Sequence, residues 1–288
     1  MRLATLLFND EPRVATVVDD RWFDLSQIAP DMLTFINGGE AALQAAQRIV
    51  EQGMSRPLDE ATFLSPISRP PKNVIALGLN YREHALESQR AQGLPFPEYP
   101  VFFTKAATSI LGHEGEIVWK DTVTQQVDWE VELALIIGRG GRDIPRENAF
   151  SVIYGYTACN DVSARDLQFR HGQWYRGKSL DTFCPLGPWI VTADEIPIPG
   201  GLEVITRVNG IEKQHSNTAE LIFDIPTIIE TISAGATLET GDVIITGTPS
   251  GVGFARTPPE FLGDGDIVEV EVEQIGVLRN RCRIIRTV

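Results

Sequence analysis

The stretch Val127-Asp128-Trp129-Glu130-Val131-Glu132-Leu133-Ala134-Leu135-Ile136-Ile137-Gly138 opens with an acid at every second position and closes on an apolar run. Period-2 alternation leading into such a run reads as a β-strand that begins at a polar rim and enters a core. Side chains of a strand alternate faces, so Asp128, Glu130 and Glu132 are expected on one face and Trp129, Val131 and Leu133 on the other. Three like charges on one face of a hydrophobic strand are unfavourable unless they are solvated or neutralised. An exposed charged edge meets that condition. So does a hard cation, which takes several oxygen ligands.

Strand signals extend outward from this stretch. Val74–Leu77, Val101–Thr104, Glu116–Val118, Tyr154–Asn160, Trp189–Thr192, Glu203–Val208, Val243–Thr246 and Ile267–Val272 are β-rich runs, many bounded by Gly or Pro. Helical signals are few: about Tyr81–Gln92, Arg146–Val152 and Asp224–Ser233. A doubly wound parallel sheet needs a crossover helix after nearly every strand, so the expected class is mainly β, within α+β: a mixed β-sandwich or β-roll. Residues 1–65 read as a small α+β unit of short strands (Arg2–Phe8, Arg13–Val18, Arg21–Leu25) and one helix (Glu40–Gln52). Three prolines in Ser65-Pro66-Ile67-Ser68-Arg69-Pro70-Pro71 forbid helix. The expected boundaries are therefore 1–65, a linker at 66–72, and a catalytic domain at 73–288.

A second segment, Tyr154 to Gln168, ends a strand in Asn160-Asp161 and passes into a polar turn carrying Arg165 and Gln168. Asp161 is placed there to add a third carboxylate to the Glu130-x-Glu132 pair. The four histidines, His84, His113, His171 and His215, lie far apart and no HExxH occurs. Cys159, Cys184 and Cys282 lack metal-type spacing, which disfavours zinc and suits reduced thiols in a cytoplasmic protein. All-oxygen ligation points to Mg²⁺, with Mn²⁺ or Ca²⁺ as alternatives.

The chain of 288 residues carries 25 basic and 39 acidic side chains, a formal charge of −14. Nucleic acid and anionic membrane surfaces, which attract basic faces, are thereby disfavoured as partners. No signal peptide is read at the start, and no apolar run reaches the ~18 residues a membrane span needs. An anionic substrate would be repelled at long range, so a site for one must build its own positive field.

Several further motifs stand in one order. They are Ala76-Leu77-Gly78-Leu79-Asn80-Tyr81-Arg82-Glu83-His84-Ala85-Leu86-Glu87, Asp128-Trp129-Glu130-Val131-Glu132, and Asn160-Asp161-Val162-Ser163-Ala164-Arg165-Asp166-Leu167-Gln168. Gly177-Lys178-Ser179, Thr246-Gly247-Thr248-Pro249-Ser250-Gly251-Val252-Gly253 and Gly276-Val277-Leu278-Arg279-Asn280 follow. Over about 215 residues the chain resembles the fumarylacetoacetate hydrolase superfamily, and its first 65 residues resemble the small domain of many bacterial members. The resemblance implies a homodimer or higher oligomer, Mg²⁺ held by Glu130, Glu132 and Asp161, and chemistry on 2-oxo acids. It also implies a catalytic His84–Glu87 dyad, with the two residues three apart on one helix face. Lys178 joins them, and Arg165, Gln168, Thr248 and Lys105 are implied as substrate-binding.

The expected reaction is Mg²⁺-dependent hydrolysis of a C–C bond in a 2,4-dioxo acid such as an acylpyruvate or fumarylpyruvate, as in aromatic catabolism. Charge developing on the enolate leaving fragment would be stabilised at the metal. Decarboxylation or isomerisation of a related 2-oxo acid, oxaloacetate or a hydroxymuconate-type intermediate, is the alternative. Two other classes compete with this reading. A serine hydrolase fails on register, because Ser250 directly precedes Gly251 whereas a nucleophile elbow is G-x-S-x-G. A purely binding protein would not need His84 and Glu87.

Overall fold

The apolar half of the opening stretch forms the strand Val131–Ile137, buried at every position. A strand covered on both faces reads as a continuous hydrophobic run, and two layers of core account for it here. One face contributes Val131, Leu133, Leu135 and Ile137 to a core shared with Val204, Val270, Val272 and Leu278 of a second sheet. The other face contributes Ala134 and Ile136 to a core shared with Phe35, Ile36, Ala42, Ala46 and Ile49. The computed structural model describes residues 1–197 and 199–286.

The larger sheet runs in the order Arg56–Pro57, Arg21–Asp24, Glu11–Val18, Arg2–Phe8, Cys184–Thr192, Ile153–Asn160, Val131–Ile137, Val243–Ile245, Val74–Gly78, Val101–Lys105. The smaller runs Ile211–Asn217, Glu203–Val208, Ile267–Val272, Gly276–Ile285, Glu116–Lys120. The expected mixed, mainly β architecture is present. Among the described residues no helix is long and apolar enough to cross a membrane.

The amino-terminal unit is less separate than its proline boundary suggests. Arg2–Phe8 pairs with Cys184–Thr192 through Arg2↔Val191 and Leu3↔Ile190, so its strands extend the large sheet. Its helices Met32–Asn37 and Gly39–Gln52 help cover that sheet's outer face. The prolines thus mark a change of direction within one continuous sheet.

One local expectation is corrected. The alternation from Asp128 to Glu132 breaks, because Val127–Asp128 pairs with Ser163–Ala164 in a separate two-stranded ribbon, and Val131 begins the main strand. Residues 129–130 form the corner between them, so Asp128 does not share a face with Glu130 and Glu132. Two short helices, Arg165–Arg170 and Tyr175–Lys178, follow that ribbon.

Candidate active site

Antiparallel register assembles the acidic centre. Val131 lies opposite Asn160 and Glu132 opposite Cys159. One step beyond, the Asp161 amide donates to the Glu130 carbonyl at 2.8 Å, and the Glu130 amide donates to Asn160 Oδ1 at 3.0 Å. Glu130, Glu132 and Asp161 therefore meet at one end of the sheet. One carboxylate oxygen from each lies within 4.8 Å of the others, and all three residues are buried.

The next strand, Val243–Ile245, ends beside them, and the Gly247 amide donates to Glu132 Oε2 at 2.6 Å. Gly247 has φ +100°, and a Cβ there would stand 2.7 Å from the Cβ of Asn80. Only glycine lets the backbone turn in so closely. Asn80 is itself an anchor: its side chain donates to the carbonyls of Phe223 (3.1 Å) and Thr246 (2.8 Å) and accepts from the Phe223 amide.

Cations surround the acids. Lys178 donates to Glu130 Oε2 and Asp161 Oδ2, both at 2.7 Å, and Arg165 Nη2 pairs with Glu130 Oε1 at 2.6 Å. Burial opposes ionisation of Glu130, yet Lys178 and then Arg165 outweigh it and hold the carboxyl down at about 2. Glu132 has no such partner. Burial, reinforced by Asp161 and Glu130, pushes its carboxyl well above the usual range, and its Oε1 is buried without a hydrogen-bond partner.

That orphaned oxygen tests the fit of a divalent cation. Oxygens sharing a Mg²⁺ at ~2.1 Å lie within about 4.2 Å of each other, comparable to the observed spacing. Glu130, Glu132 and Asp161 suit a hard ion, whose positive charge would give Glu132 the partner it lacks. Four buried carboxylates, with Asp128 included, face the three buried cations Lys105, Lys178 and Arg165. This cluster carries a formal −1, which a divalent ion converts to +1, so the positive field demanded by an acidic protein is local.

A cleft of about 380 Å³ opens on this centre, lined by His84, Glu130, Arg165, Gln168, Lys178 and Thr248 and walled by Leu79, Phe103, Trp174 and Phe254 among others. His84 comes from the helix Arg82–Gln92, which turns His84, Ala85 and Ser88 inward. Its Nδ1 lies 3.1 Å from Glu87 Oε2, and Glu87 Oε1 accepts from the Gly251 amide at 3.0 Å. Glu87 thus fixes the imidazole with Nδ1 protonated, leaving Nε2 as the basic atom.

Of the residues implied by resemblance, the structure brings nine into one assembly, but Lys105 does not face the cleft. It is fully buried behind Asp161, donating to Asp161 Oδ1, to the Lys178 carbonyl (both 2.5 Å) and to the Val162 carbonyl (3.2 Å). Its ammonium fixes the acidic centre and is unavailable to a substrate. Gln214 was not singled out in the sequence. Its amide donates to Thr248 Oγ1 and the Pro249 carbonyl, both at 2.9 Å, and its carbonyl accepts from the Val131 amide. Because Thr248 Oγ1 accepts from Gln214, its own hydrogen is free for a ligand. A lone Gln in an exposed-looking strand gives no periodic signal, and only the tertiary contact reveals it.

Comparison with known proteins places this geometry. Residues 73–283 match the family model described as fumarylacetoacetate (FAA) hydrolase C-terminal. The chain is 40% identical to oxaloacetate tautomerase YisK of Bacillus subtilis, over 98% of this chain and 99% of that protein. It superimposes on a fumarylacetoacetate hydrolase from Exiguobacterium antarcticum with a TM-score of 0.86 and 40% identity, covering 99% and 100% of the two chains. Maleylpyruvate hydrolase from Sphingobium sp. SYK-6, solved with manganese(II) and pyruvate, gives a TM-score of 0.83 at 31% identity over 99% of each chain.

Proposed function

The chain belongs to the fumarylacetoacetate hydrolase family, and we propose on that footing that it is a Mg²⁺-dependent tautomerase of a small 2-oxo dicarboxylic acid of the oxaloacetate type. The observation that carries this reading is the pairing of a single oriented base, His84, with the carboxylate triad in one narrow, cation-lined cleft. The similarity to oxaloacetate tautomerase over nearly the whole of both chains supports it further. C–C hydrolysis, the expectation from motifs alone, thereby becomes the second reading.

Keto–enol exchange needs one proton taken from C3 and one delivered to the C2 oxygen. His84 Nε2 takes the C3 proton while Glu87 stabilises the resulting imidazolium. Lys178, held between Glu130 and Asp161, donates the proton that the C2 oxygen gains and recovers it from the His84 imidazolium through solvent. Thr248 donates to the carboxylate next to the ketone, and Arg165 with Gln168 holds the distal carboxylate. A divalent ion on Glu130, Glu132 and Asp161 supplies Lewis acidity toward the 2-oxo acid. Walls of Leu79, Phe103 and Phe254 limit water in the cleft.

The test follows the ultraviolet absorbance of enol-oxaloacetate in Mg²⁺ buffer. Accelerated equilibration without net release of pyruvate is expected, abolished by EDTA. His84→Gln should lose roughly 10²- to 10⁴-fold in rate with Mg²⁺ affinity retained. Cleavage of maleylpyruvate or an acylpyruvate into two acids, faster than any effect on oxaloacetate, would overturn the proposal in favour of hydrolysis. The His84–Glu87 pair suits that second reading as well, since it can activate water, and the maleylpyruvate hydrolase neighbour is the observation in its favour.

A further inference from the structure

Asp128 stands two residues before Glu130, as Glu132 stands two after, and by spacing alone it reads as another metal ligand. Its contacts say otherwise. The carboxylate is fully buried. Oδ1 accepts from the amides of Trp129 (2.8 Å) and Gly253 (2.7 Å). Oδ2 accepts from the Phe254 amide (3.0 Å) and from Arg165 Nε (2.8 Å). Four donors fill the roughly four acceptor positions of a carboxylate, and none is left for an ion.

One of those four donors is Arg165. The guanidinium is clamped on three sides, by Asp128 at Nε, Gln168 Oε1 at Nη1 (3.0 Å) and Glu130 Oε1 at Nη2 (2.6 Å). The ring of Phe254, whose amide Asp128 holds, lies 4.5 Å from the Arg165 Cζ and covers its face. Phe169 packs edge-on against Phe254 at 5.6 Å. Of the five guanidinium N–H groups, two are committed, Nε to Asp128 and one on Nη1 to Gln168; Nη2 is buried beside Glu130 without a hydrogen-bond partner, so N–H groups of the Nη1/Nη2 edge remain to be offered to a ligand.

We propose that Asp128 is a positioning residue that orients Arg165 and seats Phe254 over it, so that the remaining guanidinium edge selects substrates bearing a distal carboxylate. This rests on the 2-oxo dicarboxylate reading above, and it names the device by which a dicarboxylate is distinguished from a monocarboxylate. The aromatic cover excludes water from the guanidinium, which strengthens its bidentate bond to a carboxylate.

Asp128→Asn is the direct test. The amide keeps the volume and one acceptor but turns an NH₂ toward donors on the other side, so Arg165 and Phe254 lose their common anchor. Malate and lactate differ only by the distal carboxylate, and neither needs turnover to be measured, so calorimetry on the Mg²⁺-loaded protein is the readout. Wild type should prefer malate. Asp128→Asn should weaken malate roughly 10-fold or more while lactate and Mg²⁺ affinities stay within about 2-fold. The double variant with Arg165→Lys should bind malate no more weakly than Arg165→Lys alone, because the first residue acts through the second.

Should the buried substitution prevent folding, Phe254→Leu removes the ring while leaving the backbone anchor, and should weaken malate several-fold with lactate unchanged. Parallel loss of Mg²⁺ and both acids in Asp128→Asn, fully additive losses in the double variant, or no change with Phe254→Leu would each overturn the inference. A wild type that shows no preference for malate would overturn it too. Absence of oxaloacetate turnover with the malate preference and its loss intact would sink the tautomerase reading alone.

Discussion

Glu132 is the residue in which the site's purpose is most concentrated. Its neighbours Glu130 and Asp161 each have a lysine, whereas Glu132 has one backbone amide and an oxygen with nothing to bind. Its folded-state carboxyl is raised by burial and by the two adjacent acids. A raised carboxyl costs nothing below the unfolded value of 4.5 and destabilises the fold as pH rises through the folded value. Metal-free protein should therefore lose thermal stability as pH rises above 4.5, and Mg²⁺ should restore more of it the higher the pH. Glu132→Gln removes the charge and keeps the shape. Mg²⁺ affinity should fall on the order of 100-fold, while the metal-free variant at pH 8 melts no lower than metal-free wild type. Near-normal Mg²⁺ binding by titration calorimetry would refute the ligand assignment.

At the scale of elements, the helix Arg82–Gln92 and the short helices around Trp174 form the cleft's outer wall. Gly78, where the strand Val74–Gly78 ends, lies directly beneath Trp174: an added Cβ would come within 2.1 Å of the indole. The ring also packs edge-on against Phe103 at 5.3 Å. Gly78→Ala must push the indole aside, and because Trp174 is only partly buried the cost in stability should be about 1 kcal/mol. Substrate KM should rise several-fold with Mg²⁺ affinity unchanged. An unchanged KM would mean that the indole does not bound the substrate. These elements also mark how far the sequence could be read. The long strands were legible because alternation and apolar runs record burial directly, as in Val131–Ile137. Arg165–Arg170 and Tyr175–Lys178 were not, since helices this short have too few residues to show a period. Period-2 logic misplaced Asp128 because a two-residue corner at Trp129–Glu130 resets the alternation. The resemblance implies Lys105 as substrate-binding, but a family match does not say which side of Asp161 an ammonium occupies.

Across the whole molecule, two charge scales oppose each other. The chain carries −14 over its length, yet the buried cluster at the cleft moves from −1 to +1 when a divalent ion joins Lys105, Lys178 and Arg165. Surface charges act through solvent and are screened beyond ~8 Å at physiological ionic strength, whereas charges buried in the cleft are screened far less. A dianionic 2-oxo acid should therefore meet a net repulsive field on approach and an attractive one only on entry. Raising NaCl from 10 to 150 mM weakens the first and barely touches the second. We expect kcat/KM for oxaloacetate to rise with salt over this range while kcat stays constant. A neutral ester analogue that still binds should show no such rise. A fall in kcat/KM with salt would show instead that the positive cluster projects through the cleft mouth and steers the substrate in, overriding the acidic surface around it.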